Sequence, residues 1–136
     1  MKEIVLVKDP SILRVGLISI LESVSKDVKV TVYDADEMEK MMELERKGDI
    51  FIIDVDVQLD VLHVINYYQD IGKKVVIWTA DPTNPKLLAF FHLNLYGYFF
   101  ERVDTDELVA AIKRVFQGER YIDPAFSELL LDALAK

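Results

Sequence analysis

Short apolar runs that stop at a polar residue, separated by stretches with helical spacing, constrain this chain more than any other feature. Ile4-Val5-Leu6-Val7 runs into Lys8-Asp9, and Ile50-Phe51-Ile52-Ile53 runs into Asp54. Val75-Val76-Ile77-Trp78 ends at Thr79, and Gly97-Tyr98-Phe99-Phe100 ends at Glu101. Strands that alternate with helices imply a parallel sheet with right-handed crossovers. In such a sheet the carboxyl ends of the strands open onto one crevice, where ligands bind. Asp9, Asp54, Thr79 and Glu101 are therefore expected on one rim.

The helical stretches are legible by period. Ile12, Leu13, Gly16, Leu17, Ile20, Leu21 and Val24 form the clearest one. A second strand is expected from Val28 to Val32. Asp36 and Glu39 then have the spacing of a capping box ahead of Met38, Met41 and Met42, which read as core filler. Val61, Leu62, Ile65 and Tyr68 mark a third helix. Pro85 opens a fourth, bearing Leu87, Leu88 and Phe91. Asp104 and Glu107 box a fifth, with Leu108, Ile112 and Val115 inward. The expected fold class is α/β, a doubly wound, five-stranded parallel sheet of order 2-1-3-4-5 over residues 1–118. Gly118 stops the fifth helix, and Asp123-Pro124 reads as the cap and first turn of a sixth. Residues 119–136 are expected to be a linker and that terminal helix. Its Phe126, Leu129, Leu130, Leu131 and Leu134 cover more than one face, so it must bury against its own domain, a second copy or a domain beyond this segment.

With 136 residues and 51% hydrophobic content, the chain suits one domain that buries about two-thirds of its unfolded surface. No stretch approaches the roughly 20 apolar residues that span a bilayer, and no signal peptide opens the chain. Cysteine is absent, which excludes a disulfide framework and a cysteine metal site. A cytoplasmic protein with no membrane contact is expected. The net charge of −8 opposes direct nucleic-acid binding by this segment. His63 and His92 have no ligand-type neighbours at metal spacing and read as surface residues.

Asp54, Asp9, Thr79 and the segment Gly118-Glu119-Arg120-Tyr121-Ile122-Asp123-Pro124 together resemble the receiver domains of NarL/LuxR-type response regulators, a CheY-like family, over roughly residues 2–124. The resemblance implies a two-component signalling role and a flavodoxin-like fold. It implies that Asp54 is the phosphoacceptor, Asp9 the second member of an acidic metal pair, Thr79 the hydroxyl that holds phosphoryl oxygens and Tyr98 the switch aromatic. It further implies transcription control through a DNA-binding domain outside this segment, a histidine kinase as a partner, and dimerisation near the fourth helix and fifth strand. Phe90, Leu93, Leu95 and Tyr96 are the candidate interface there, with Phe126 and Leu130 on the terminal helix.

Two departures from that pattern bear on function. The first acidic position is Lys8, and the position of the family's phosphate-holding Lys is Glu101. Phosphoryl transfer to a carboxylate needs a divalent cation to neutralise charge and a fixed positive donor opposite. Lys8 offers an ammonium where the metal belongs and a counter-ion to Asp9 and Asp54, and Glu101 replaces attraction with repulsion. Asp9, Asp54 and Asp56 remain as a weak Mg²⁺ set, and no other cofactor is expected. Lys8 and Glu101 are also read as a structural salt bridge. The expectation is an atypical, phosphorylation-independent receiver that acts by protein contacts, as a homodimer or with another protein, without catalysis; a conventional Mg²⁺-dependent receiver with a charge-swapped pocket is the alternative. Asp54-Val55-Asp56 also resembles the Asp-x-Asp of haloacid-dehalogenase-type phosphatases, whose downstream Lys and acidic pair have no counterpart here. A nucleotide site is disfavoured because Lys8-Asp9-Pro10-Ser11 has no glycine to admit phosphates.

Overall fold

A computed structural model describes residues 1–57 and 60–135. Gln58 and Leu59, in the loop after the third strand, lie outside the described residues. Strands β1 (Lys2–Val7), β2 (Val28–Tyr33), β3 (Ile50–Asp54), β4 (Lys74–Thr79), β5 (Gly97–Phe100) and β6 (Tyr121–Ile122) form one sheet of order 2-1-3-4-5-6, and all its pairings are parallel. Helices α1 (Ile12–Glu22), α2 (Met38–Leu44), α3 (Val61–Asp70), α4 (Thr105–Phe116) and α5 (Ser127–Leu134) cover it, with a 3-10 segment at Pro85–His92. The expected order holds and gains a strand. Residues 121 and 122, read as linker, extend the sheet because Tyr121 N–H donates to Tyr96 C=O and Asp123 N–H to Tyr98 C=O.

The four central runs are apolar on both sides because two cores sandwich them. Val5, Val7, Phe51, Ile53, Val75 and Ile77 face Met38, Met41, Ile65 and Tyr68. Ile4, Leu6, Ile50, Ile52, Val76 and Trp78 face Leu17, Leu21, Leu108 and Ile112. Alternation along one strand thus sends every second side chain to the opposite helical layer. Phe51 stacks on Tyr68 with ring centroids 3.9 Å apart.

Three local expectations are corrected. The capping box forms two residues early: Asp34 receives the N3 backbone N–H, and Glu37 accepts from Asp34 N–H, around a 3-10 turn at Ala35–Glu37. Chain direction changes as soon as β2 ends at Tyr33, so the earlier of two overlapping Asp-x-x-Glu spacings is used. The side chain of Asp104 makes no cap hydrogen bond, and Glu107 accepts from the Tyr121 hydroxyl instead. The fourth helix is a 3-10 segment: Leu87 and Phe90 are its buried pair, spaced by three, which suits 3.0 residues per turn. Asn84 caps it through Lys86 N–H, with Pro85 in the first turn. Gly118 ends α4 at φ +89°, a conformation that favours glycine, and Asp123 caps the turn into α5 through Ala125 N–H.

The terminal helix is settled by two residues. Phe126 and Leu129 are buried in the same core as Tyr98, Leu87 and Phe90, and Leu131 and Leu134 stay exposed. Phe126 is therefore a core residue and not the interface residue expected from sequence, and Phe90 is buried as well.

Candidate functional site

The carboxyl ends of β1 and β3 build the site. Their register runs through Val7 opposite Ile53, which sets Lys8 beside Asp54 at the next step. Lys8 Nζ lies 3.1 Å from Asp54 Oδ2, and the two side chains are 11% and 9% exposed. Asp54 Oδ1 accepts the N–H of Asp56 at 2.9 Å. Both oxygens of Asp54 thus have charged or backbone donors, as burial of a carboxylate requires. Arg14 on α1 braces this corner by donating to the Lys8 carbonyl at 2.9 Å and pairing with Asp34. Sequence reasoning missed Arg14; its only signal is a lone cation in an otherwise apolar stretch of helix.

The remaining acids turn elsewhere. The Asp9 carboxylate accepts Ala35 N–H at 2.8 Å, tying the β1 loop to the β2 loop. The Asp56 carboxylate spans the end of β4: Oδ1 accepts the Thr79 hydroxyl at 2.6 Å and Oδ2 accepts Ala80 N–H at 2.7 Å. Thr79 is fully buried. Lys8, Asp9, Pro10, Ser11, Asp54, Asp56 and Val57 line an open cavity of about 500 Å³.

Glu101 follows β5 at the same end of the sheet, where its N–H donates to Thr79 C=O at 2.9 Å, but it is not among the residues that line the Asp54 cavity. Glu101 lines a separate apolar groove of about 370 Å³ between α1 and α4, with Ile12, Leu13, Gly16, Trp78 and Leu108. The Lys8–Glu101 bridge is absent among the described residues, where the Lys8 ammonium pairs with Asp54. Asp54 is one strand away from Lys8, whereas β5 is three, about 14 Å at ordinary strand spacing. The nearer carboxylate wins.

Mg²⁺ is the group that the resemblance implies, and the residues do not fit it in this arrangement. Asp9, Asp54 and Asp56 do not bring one oxygen each within 4.8 Å of one another; among the described residues the acids that do are Asp34, Asp36 and Glu37. Of the last three, Asp34 is already used in the Arg14 pair and the capping box and Glu37 in the capping box, and Asp36 is exposed.

Tyr98 on β5 is buried, and its hydroxyl donates to Phe90 C=O at 3.2 Å. Its ring contacts Phe91 at 5.2 Å and Phe126 at 5.8 Å between centroids. Burial pushes the phenol up to about 12, with Arg120 pulling weakly the other way. Leu93 and Leu130 are half-buried. Tyr96, also half-buried, lies under the Arg120 guanidinium at 4.4 Å from its ring centroid. His63 and His92 are exposed.

No family model matches the chain. It is 23% identical over 137 residues to the oxygen regulatory protein NreC of Staphylococcus carnosus, and 27% identical over 135 residues to the response regulator GacA of Pseudomonas aeruginosa. Each match covers 96% of this chain and 62% of the relative, so the chain spans less than two-thirds of their length. Among solved structures, a LuxR family DNA-binding response regulator from Silicibacter pomeroyi superposes with TM-score 0.75 at 18% identity, covering 92% of this chain and 99% of that one. The response regulator ChrA of a heme-sensing two-component system gives TM-score 0.75 at 23% identity, covering 98% and 66%. A structure of two RcsB dimers bound to DNA gives 0.77 at 18% identity, covering 95% and 66%.

Proposed function

We propose that this chain, a receiver-type domain resembling the N-terminal domains of NarL/LuxR-type response regulators, signals without phosphorylation of Asp54 and without catalysis of its own. The observation that carries this reading is the Lys8–Asp54 ion pair at 3.1 Å. A nucleophilic carboxylate must offer a free lone pair to phosphorus, with a cation neutralising the incoming oxygens. Here an ammonium pairs with one Asp54 oxygen and a backbone N–H holds the other, which lowers the nucleophilicity of both and seats a side-chain cation against the carboxylate. Mg²⁺ would have to approach that ammonium, so its affinity is low.

Output then runs through protein contacts. Apolar side chains left in solvent are the material for such contacts, and Ile12, Leu13 and Val15 on α1 with Leu131 and Leu134 on α5 are the exposed ones that cluster by element. A second copy of the chain is the partner proposed, in keeping with the dimers of RcsB. Control of transcription would follow through a DNA-binding domain outside this segment, and a histidine kinase would not be needed to set the state. No helix among the described residues is long and apolar enough to cross a membrane, and a cytoplasmic setting suits the reading.

Sedimentation equilibrium on the chain and on its Ile12→Glu variant tests the contact. The unphosphorylated chain should self-associate, and the charge should weaken that association about tenfold or more by burying an unpaired carboxylate. A strictly monomeric chain at high micromolar concentration rules out the second copy.

A further inference from the structure

We infer that the Asp56 carboxylate is a built-in anion: it occupies, from within the chain, the donors at the carboxyl end of β4, and so closes the loop 80–84 with no phosphoryl group. The inference rests on the reading that Asp54 stays unphosphorylated. Its basis is the match of two oxygens to two donors, Thr79 Oγ1 at 2.6 Å and Ala80 N at 2.7 Å, the short distances of charge-assisted hydrogen bonds. No cation pairs with Asp56 among the described residues, so these donors are what hold it.

A hydroxyl has one proton. Thr79 gives its proton to Asp56, which leaves its lone pairs to accept Asp81 N–H at 3.1 Å. Asp81 Oδ1 in turn accepts Thr83 N–H at 3.1 Å and the Thr83 hydroxyl at 2.7 Å. Asn84 N–H donates to Asp81 C=O, and Asn84 caps the 3-10 segment through Lys86 N–H. A continuous relay therefore leads from Asp56 to the first turn of the segment against which α5 packs. An external phosphoryl or phosphate oxygen reaches Thr79 and Ala80 only by displacing Asp56, against the charge of both Asp54 and Asp56. Asp56 acts here as a positioning residue for the loop.

Amide NMR of the full chain with inorganic phosphate as the probe tests this. In the native chain the amides of Ala80, Asp81 and Thr83 should be insensitive to phosphate. In Asp56→Ala the Ala80 amide proton should move upfield on losing a charged acceptor, and Asp81 and Thr83 should shift with it. Phosphate should then bind saturably and return all three towards their native positions, with an apparent Kd about tenfold or more below that of the native chain. Asp56→Asn, which keeps the shape and loses the charge, should lie between the two and serves if Asp56→Ala does not fold. Unmoved amides in the variants, or phosphate that binds native and variant chains equally, would overturn the inference. Failure of the functional reading is read separately, from the mass of Asp54 after acetyl phosphate. A native chain that is phosphorylated and whose variant still shows rescue by phosphate would reverse that reading and leave the role of Asp56 standing.

Discussion

Lys8 and Asp54 form a nearly buried pair, and such a pair is costly to break from one side. Lys8→Met leaves Asp54 with one backbone donor and no counter-charge. Chemical denaturation should show a loss of about 2–4 kcal/mol, much of it recovered in Lys8→Met with Asp54→Leu. Recovery of nothing in the double variant would mean the pair matters for packing and not for charge. Lys8→Asp goes the other way on metal: it removes the ammonium, and Mg²⁺ followed by Trp78 fluorescence should bind more tightly than to the native chain. Much of this site was legible in sequence. Asp54, Asp9, Thr79 and Lys8 could be placed at strand ends because each closes an apolar run. Sequence left the partner of Lys8 open between Asp9 or Asp54 and Glu101, because strand-end position alone does not rank distances across the sheet. The expected order 2-1-3-4-5 already held the answer, since it puts β3 and not β5 beside β1. The turn of Asp56 onto Thr79 and Ala80 had no sequence signal, because it depends on the path of the loop after β3.

At the scale of elements, the period of apolar residues gave the strands and most helices, and it failed where two periods compete. Leu87, Leu88, Phe90 and Phe91 satisfy either a 3.6 or a 3.0 repeat, and burial of Leu87 with Phe90 selects the tighter one. For α5 the sequence left three burial partners open, and packing of Phe126 and Leu129 on the domain's own core chooses among them. Phe126→Ala should therefore cost about 3–5 kcal/mol in chemical denaturation, as for a core aromatic. A surface interface residue would cost almost nothing in the isolated chain. Gly97 at the start of β5 is a second element-level constraint. A Cβ there would clash with Phe99 Cε1 and sit 3.0 Å from Val76 Cγ2. Gly97→Ala should lower stability by about 1–3 kcal/mol through overpacking, with no loss in a Gly118→Asn control, where the left-handed turn tolerates Asn.

Over the whole molecule, three buried tyrosines set the response to alkali. Burial raises the phenols of Tyr68, Tyr98 and Tyr121, Tyr98 to about 12, from the ordinary 10.0. A group whose folded value is raised stabilises fully below the unfolded value, and that contribution is lost as pH climbs through the folded one. Stability should be flat on this account up to about pH 10 and fall steadily from there towards 12, with the tyrosinate absorbance of these three residues appearing only at unfolding. Tyr98→Phe, which cannot ionise, should flatten part of that fall. The net charge of −8 grows more negative over the same range and adds to it.

The central claim, that a built-in ammonium takes the place of the metal at Asp54 and withdraws the chain from phosphoryl chemistry, is tested most directly by intact mass. The native chain, the double variant Lys8→Asp with Glu101→Lys, and that double variant with Asp54→Asn would be incubated with acetyl phosphate and Mg²⁺ and weighed. The native chain should remain at its unmodified mass, the double variant should gain a phosphoryl group because both electrostatic requirements are rebuilt, and the variant that also lacks Asp54 should gain none. Stoichiometric phosphorylation of the native chain at Asp54 would contradict the account.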